Sequence, residues 1–386
     1  MIRYLTEDLA VHLIYFQVVV LAILLSNLVL LHRSRRHEAP GDPPFVSLLV
    51  PARDEEDNIG ACVRSLLAQD YPRFEVLVLD DQSTDATPVV LAELAVAHPA
   101  LRVLTGGGAP EAGAGKNQAC SRLAREAAGE LLFFTDADTV HASHALRALV
   151  AALVGEDADL LTGFPRQRVV TWGERLLVPF FSWASLSFTP LWLAYRLRLP
   201  ALAVAVGQVM LFRRDAYEAI GGHEALGAAV VEDLKLARRI RAAGRRWRVV
   251  SVSDLISSRM YRSGREAVDG FTKNLFAAFD HRLLVYLFVF GWMAVLFEVP
   301  LATLLAVVVT GGQLAAAYTL FGCIGLSLAL WLPAYREIGV PLYLACLYPA
   351  TILATVLVAA RSLLFTMCGR VTWKGRPLAR PRWRWL

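Results

Sequence analysis

Phe133-Phe134-Thr135-Asp136-Ala137-Asp138 closes an apolar run that begins at Leu131. A buried strand, Leu131 to Thr135, thus ends on two carboxylates one residue apart, which is costly unless a cation matches the charge. Mg²⁺ or Mn²⁺ suits the pair, because these ions are held by one or two carboxylates together with substrate phosphates. Upstream the pattern repeats. Phe45 to Val50 reads as a short buried strand ended by Pro51, Phe74 to Leu79 as a second and Arg102 to Leu104 as a third. Helical apolar spacing covers Asn58 to Ala68, Thr84 to Ala97 and Lys116 to Ala128 between them. Strands alternating with helices predict an α/β fold, a mostly parallel sheet covered by helices on both faces. Ligands of such sheets gather at the carboxyl ends of the strands, where these acids stand.

Other polar positions follow the same logic. The second strand ends in Leu79-Asp80-Asp81-Gln82-Ser83-Thr84-Asp85. Ser83 or Thr84 is suited to cap the next helix. A cap leaves Asp81 unexplained, and an acid there is placed to accept from the N3–H of uracil. Glu232 and Asp233 open a helix, Asp233 to Arg241, where acids also complement the helix dipole. Gln208, which both donates and accepts, precedes the strand Val209 to Phe212, where a plain turn residue is one reading. Gly221-Gly222-His223 reads first as a helix C-cap.

The rest of the chain is oily. Of 386 residues 56% are hydrophobic, and mean hydropathy is +0.47, too high for an ordinary soluble domain. The excess sits at the two ends. Val11 to Leu31 has the length a bilayer requires, about 20 residues. Acids precede it and His32-Arg33-Ser34-Arg35-Arg36 follows it, so the positive-inside rule predicts an uncleaved anchor with the N-terminus outside. Further apolar runs cover 283–310, 314–332 and 340–367. Three crossings there would leave the basic tail, Arg370 to Arg384, outside. Either one run is interfacial, with Glu298 and Pro300 pointing to the first, or the orientation bias fails here, and the former is preferred. Leu176 to Val206 is aromatic-rich and broken by prolines, and reads equally as a segment at the membrane surface or as ordinary core. The expected domains are an anchor and linker at 1–44, a cytosolic catalytic domain at 45–282, two or three spans at 283–367 and a basic tail at 368–386. The net charge of +5 comes from the two basic clusters beside apolar spans, which fits anionic lipid rather than nucleic acid. The five scattered cysteines have neither disulfide nor metal-ligand spacing.

Val46-Ser-Leu-Leu-Val-Pro-Ala-Arg-Asp-Glu-Glu56, then 79–85, Gly115-Lys116, Asp136-Ala-Asp138 and Val231-Glu-Asp233 resemble, in order and interval, the family 2 glycosyltransferases. The resemblance implies a GT-A fold, a Rossmann-like nucleotide-binding sheet, here with transmembrane helices at both ends. It implies metal-dependent inverting transfer from a nucleotide-sugar donor, with UDP-glucose the default. By that likeness Pro51, Arg53 and Glu55 line the nucleotide pocket and Asp81 contacts the base. Lys116 lies near the base or diphosphate and Asp136 near the ribose, and Asp138 is the main metal ligand. Asp233 is the general base with Glu232 in support, and Gly207 and Gln208 lie beneath the sugar or acceptor.

Processive members carry Gln-x-x-Arg-Trp some tens of residues after the Glu-Asp pair; here Ser258 to Asn274 contains none. Single-sugar transfer is therefore the preferred reading, ahead of a polysaccharide synthase or a non-catalytic membrane protein. The stretch from Arg259 to Asn274, with Gly163-Phe-Pro165, is similar to bacterial carotenoid glycosyltransferases of the diaponeurosporenoate type and to hopene-associated glycosyltransferases. Arg262, Arg265 and Lys273 then read as ligands of a diphosphate or acceptor carboxylate, or as a basic face on the membrane. The expected partners are a UDP-sugar, a lipid or isoprenoid acceptor and the cell membrane, which the chain crosses several times with its catalytic domain in the cytoplasm.

Overall fold

The computed structural model describes residues 8–34, 37–38, 40–107, 115–310, 314–373, 376–378 and 381–386. Glu7, Arg35 and Arg36, and parts of the basic tail, lie outside the described residues.

Helix α1 (Leu9–Arg33) leads into β1 (Val46–Ala52), α2 (Ile59–Leu67), β2 (Phe74–Asp80), α3 (Thr87–Ala97), β3 (Leu101–Thr105), α4 (Gly115–Glu126) and β4 (Leu131–Phe134). Then come β5 (Thr139–His141), α5 (Ala145–Gly155), β6 (Leu160–Phe164), β7 (Arg166–Gln167), α6 (Trp172–Phe188), α7 (Leu191–Arg196), β8 (Met210–Arg213) and α8 (Arg214–Ala219). The chain continues through α9 (Glu232–Ala242), β9 (Trp247–Ser251), β10 (Ile256–Ser258), α10 (Gly264–Ala278), α11 (Leu283–Thr310), α12 (Leu314–Glu337) and α13 (Tyr348–Met367).

Seven strands form the main sheet in the order β3-β2-β1-β4-β8-β6-β9. All pairings are parallel except those of β8, which is antiparallel to both β4 and β6. The parallel strands are apolar throughout because both faces are covered. In β1, Leu48 and Val50 face the core shared with α2 and α5, whereas Leu49 faces the opposite core. That second core continues without a break into α1, α6 and the C-terminal helices. A small sheet, β5-β10-β7, closes over the carboxyl end of β4. Its three short strands are not evident from the apolar pattern.

Two local expectations are corrected. Pro51 does not end its strand; β1 runs on to Ala52, with Pro51 paired in register with Leu79. Neither Ser83 nor Thr84 caps α3, which starts at Thr87 with Ala86 at its N-cap. Their hydroxyls are drawn to the neighbouring loop: Ser83 accepts from the Asp54 N–H at 2.8 Å, and Thr84 donates to Asp54.

Among the described residues, four helices are long and apolar enough to cross a membrane: Leu9–Arg33, Leu283–Thr310, Ala317–Glu337 and Leu342–Met367, the last including the 3-10 turn before α13. The first C-terminal run is a continuous helix of 28 residues despite Glu298 and Pro300. Leu176 to Val206 is core rather than open surface for most of its length. Trp183 is fully buried and stacks on Trp331 of α12 at 3.9 Å, and Phe181 stacks on Phe271 of α10 at 4.7 Å. Helices α6 and α10 nearly touch at their starts: a Cβ on Gly173 would stand 2.3 Å from the Gly264 Cα.

Asn27 ties α1 to this assembly. Its amide donates to the Leu186 and Thr189 carbonyls at 2.7 Å each and accepts from the Leu191 N–H at 3.0 Å. Asn27→Leu keeps the volume but leaves buried backbone groups unmet, at about 1–3 kcal/mol each. The melting midpoint in detergent is expected to fall by roughly 5 °C or more; an unchanged midpoint would show that Asn27 does not hold the anchor.

Candidate active site

Five element ends meet at one cavity of about 1430 Å³. The loops after β1 and β2 supply Arg53, Glu55 and Asp81; the end of β4 supplies Asp136 and Asp138; the start of α4 supplies Lys116; the start of α9 supplies Asp233.

The first two loops are laced together. Asp54, at φ 49, accepts from the Thr84 N–H at 2.7 Å, the Glu55 N–H reaches Thr87 at 2.8 Å and the Ala86 N–H reaches Glu56 at 2.8 Å. Asp is among the residues that tolerate this left-handed conformation, and here bonds from the second loop hold it. Arg53 lies 3.5 Å from the Asp81 carboxylate and donates to the Asp81 carbonyl at 3.1 Å, which holds Asp81 at the cavity wall.

Lys116 joins two otherwise repelling acids, at 2.8 Å from Asp136 and 2.6 Å from Glu232. Burial pulls its ammonium down, but Asp136 and Glu232 outweigh that and hold it well above the usual lysine range. Burial likewise pushes Glu232 up, and Lys116 more than offsets it. Lys116 thus bridges the end of β4 and the start of α9. Asp233 accepts from the Gly207 N–H at 3.0 Å and the Leu234 N–H at 2.8 Å. Burial, with the Glu232 charge added, pushes it up to about 6. Gly207 marks the point of convergence. A Cβ there would lie 3.6 Å from the Lys116 Nζ, 3.7 Å from Asp233 and 3.8 Å from Asp136.

Asp138 is the carboxylate with capacity to spare. Its Oδ1 is buried with no hydrogen-bond partner. Burial pushes it up to about 7, with Asp136 and Glu55 adding to the shift. An orphaned carboxylate oxygen beside a second acid fits a divalent cation. Among the described residues, no group of three or more His, Cys, Asp or Glu forms a protein-only cage, so substrate oxygens would complete the coordination.

Other expected residues fall in different places. Pro51 lines the cavity, but the Gln208 side chain is committed, donating to Ser258 at 2.6 Å and accepting from Gln167 at 3.4 Å. Ser258 also bonds Asp138, so Gln208 steadies the acid rather than presenting a free amide. Arg262 clasps Asp57 and Asn58 at 2.9 and 2.7 Å across the cavity mouth. Arg265 is exposed and outside the cavity lining, so the structure does not support it as a ligand. His223 is packed beside Phe134 and bonded to Tyr217. Tyr261, Ser258 and Asn274 had not been singled out from sequence. Tyr261 is raised by burial and by Asp138, and Asn274 Oδ1 is buried without a partner at the cavity wall. Only the adjacency of Asn274 to Lys273 in the sequence would have pointed to it. Lys273 lines the cavity, and burial pulls it down to about 8.

From these polar groups the cavity continues to apolar walls. Phe180 and Phe181 of α6, Phe271 of α10, Phe16 of α1 and Trp292 of α11 line its far part.

The profile of the family described as Glycosyltransferase like family 2 matches residues 43–282. The chain is 38% identical over 120 residues to a beta-monoglucosyldiacylglycerol synthase of Nostoc, covering 31% of this chain and 25% of that protein. It is 25% identical over 236 residues to the 4,4'-diaponeurosporenoate glycosyltransferase of Staphylococcus haemolyticus, covering 60% of each. The chain therefore spans a quarter to three-fifths of the length of these relatives. Among solved structures, the mannosyltransferase PcManGT of Pyrobaculum calidifontis, in complex with GDP-Man and Mn2+, superposes with a TM-score of 0.53 at 22% identity, covering 93% of this chain and 99% of that one. This likeness establishes the GT-A arrangement of the sheet.

Lys116→Met should leave Asp136 and Glu232 facing each other uncompensated. The thermal stability deficit relative to wild type is expected to be largest at pH 7. It should shrink as pH falls below the usual carboxylate range, through the lowered pKa of Glu232, where that carboxylate takes up its proton and the wild-type advantage is lost. A deficit independent of pH would show that the bridge carries no weight.

Proposed function

Because the chain belongs to the glycosyltransferase-like family 2, we propose that it is a metal-dependent, inverting, membrane-bound glycosyltransferase that moves one sugar, glucose from UDP-glucose, onto a lipid or isoprenoid acceptor. The observation that carries this reading is the single cavity joining the acid cluster to the apolar walls of α1, α6, α10 and α11. Small-molecule sites usually occupy about 300–1,000 Å³, and this one is larger, with room for a donor and a long apolar acceptor together. The names of the relatives favour the same acceptor class, one a diacylglycerol and the other a carotenoid acid.

In this mechanism Asp81 and Arg53 orient the base and Pro51 and Glu55 wall the nucleotide. Asp138, with Asp136, would hold Mg²⁺ or Mn²⁺, which when bound neutralises the leaving diphosphate. Asp233 takes the proton of the acceptor hydroxyl as its oxygen attacks the anomeric carbon and the bond from that carbon to the diphosphate breaks. The two backbone N–H groups on Asp233 fix the carboxylate's direction. Glu232 and Lys116 hold the start of α9 against the end of β4. Asn274 Oδ1 accepts from a polar head group of the acceptor, while the aromatic walls exclude water from its tail. The protein resides in the cell membrane as a multi-pass protein with the catalytic domain cytoplasmic, the basic residues after α1 favouring that side.

Transfer should fall as pH drops below about 6, because protonated Asp233 cannot act as a base. Asp233→Asn should lower kcat by about 10²–10⁴-fold and remove that limb of the profile. Retention of the limb would assign the proton to another group. Asp138→Ala should abolish both turnover and the Mn²⁺-dependent part of UDP-glucose binding measured by calorimetry; full activity would refute the metal assignment. Mass spectrometry of lipids from cells with and without the gene should reveal one added hexose on a membrane lipid. A purified enzyme that glycosylated soluble acceptors and ignored lipid extracts would remove the lipid acceptor, and a ladder of products would favour a polymer synthase.

A further inference from the structure

Helix α13, with the 3-10 turn before it, has the length and apolar character of a membrane span. Its contacts are those of a different element. A helix of 20 residues is about 30 Å long, so a crossing would carry one end away from the catalytic domain. Its start instead rests on α12, and its end on α10, and each of these is tied to the catalytic domain. At its start, Tyr348 packs on Trp331, which stacks on Trp183 of α6. Near its end, the Ser362 hydroxyl accepts from the Phe276 N–H of α10 at 3.1 Å. Arg361, one position earlier, donates to Asp269 at 2.7 Å and to Thr272 at 3.0 Å, both on α10. An ion pair of this kind is ill placed in hydrocarbon, where an arginine at mid-span costs about 2.5–3.5 kcal/mol on insertion scales.

The segments on either side agree. Before α13, helix α12 returns to the catalytic domain: Glu337 accepts from the Ser251 hydroxyl of β9, and the Ile338 carbonyl accepts from the Gln167 N–H at 3.3 Å. After α13, the tail comes back to the point where the chain leaves that domain. The Arg384 N–H donates to the His281 carbonyl at 2.9 Å, and the Leu283 and Leu284 N–H groups donate to Arg384 and Trp385 at 2.8 and 3.1 Å. The tail thus satisfies two of the N–H groups that the start of α11 would leave open. The face of α13 turned away from protein carries Leu353, Leu357 and Leu364, each more than half exposed.

We propose that α13 does not cross the membrane but lies in the leaflet beside the catalytic domain, with Leu353, Leu357 and Leu364 in the boundary between head groups and acyl chains. Apolar faces of interfacial helices sit at that depth. The chain then crosses three times, by α1, α11 and α12, and the basic tail ends on the catalytic side, as the positive-inside rule requires. The proposal rests on the membrane embedding and not on the sugar-transfer chemistry.

Two native cysteines flank the helix. Cys346 and Cys368 are exposed, whereas Cys62, Cys120 and Cys323 are buried. In sealed vesicles, a membrane-impermeant maleimide is applied to full-length C346S and C368S, each keeping one reporter. V96C, T310C and L386C are labelled in the background carrying both C346S and C368S. Val96 is 87% exposed on α3 and defines the catalytic side. Thr310, at the far end of α11, reports whether the chain is embedded at all. Cys346, Cys368 and L386C are expected to react from the side on which V96C reacts, and T310C only from the other. Reaction of Cys346 and Cys368 from opposite sides, or of L386C with T310C, would overturn the proposal and make α13 a span. T310C reacting together with V96C would overturn it differently, by showing that α11 and α12 do not cross.

Discussion

An ammonium wedged between two carboxylates from distant parts of the chain is the constraint on which the site depends. Asp136 follows β4 and Glu232 opens α9, and without Lys116 the like charges would push those element ends apart. With it, α9 is fixed so that Asp233 and Asp136 both stand around Gly207, in the cavity that Asp138 also lines. The charge balance is deliberately incomplete. Lys116 satisfies Asp136 and Glu232 and leaves Asp138 with an oxygen for which the protein provides nothing.

The second constraint is the continuity of the core. The apolar residues on one face of the sheet, such as Leu49 and Phe134, belong to the same packed cluster as Trp183, Trp331 and Phe297. Helix α6 is the joint. Its capping box at Thr171 and Glu174 fixes its start, and Arg259, which comes from the loop over Asp138, pairs with the buried Glu174. The apolar assembly and the acid cluster are therefore linked through one buried ion pair.

Much of this was legible in the sequence, for an identifiable reason. Asp81, Asp136 and Asp138 each stand directly after an apolar run, and the alternation of runs announced the parallel sheet. The rest depends on pairings that no local pattern records. β10 is three residues long and finds its partners at 139–141 and 166–167, so Ser258 has no signature beyond an isolated polar residue. Ser83 and Thr84 had the composition of caps, but the loop after β1 competed for them and won. Arg265 failed because α10 turns Glu266, Gly270 and Asn274 toward the cavity and leaves its neighbour facing water. Gln208 was found as polar and mistaken in use, since its partner Gln167 comes from another sheet.

On the proposed reading, a cavity lined by ionic groups in one part and by Phe16 and Trp292 in another draws its two substrates from different phases. The nucleotide arrives from water, where its occupancy follows molarity. A molecule entering from the other end is counted instead per unit area of leaflet. Catalysis in such an arrangement obeys surface dilution: adding inert lipid or detergent at constant bulk composition spreads the acceptor thinner and slows turnover, although nothing in the aqueous phase has changed.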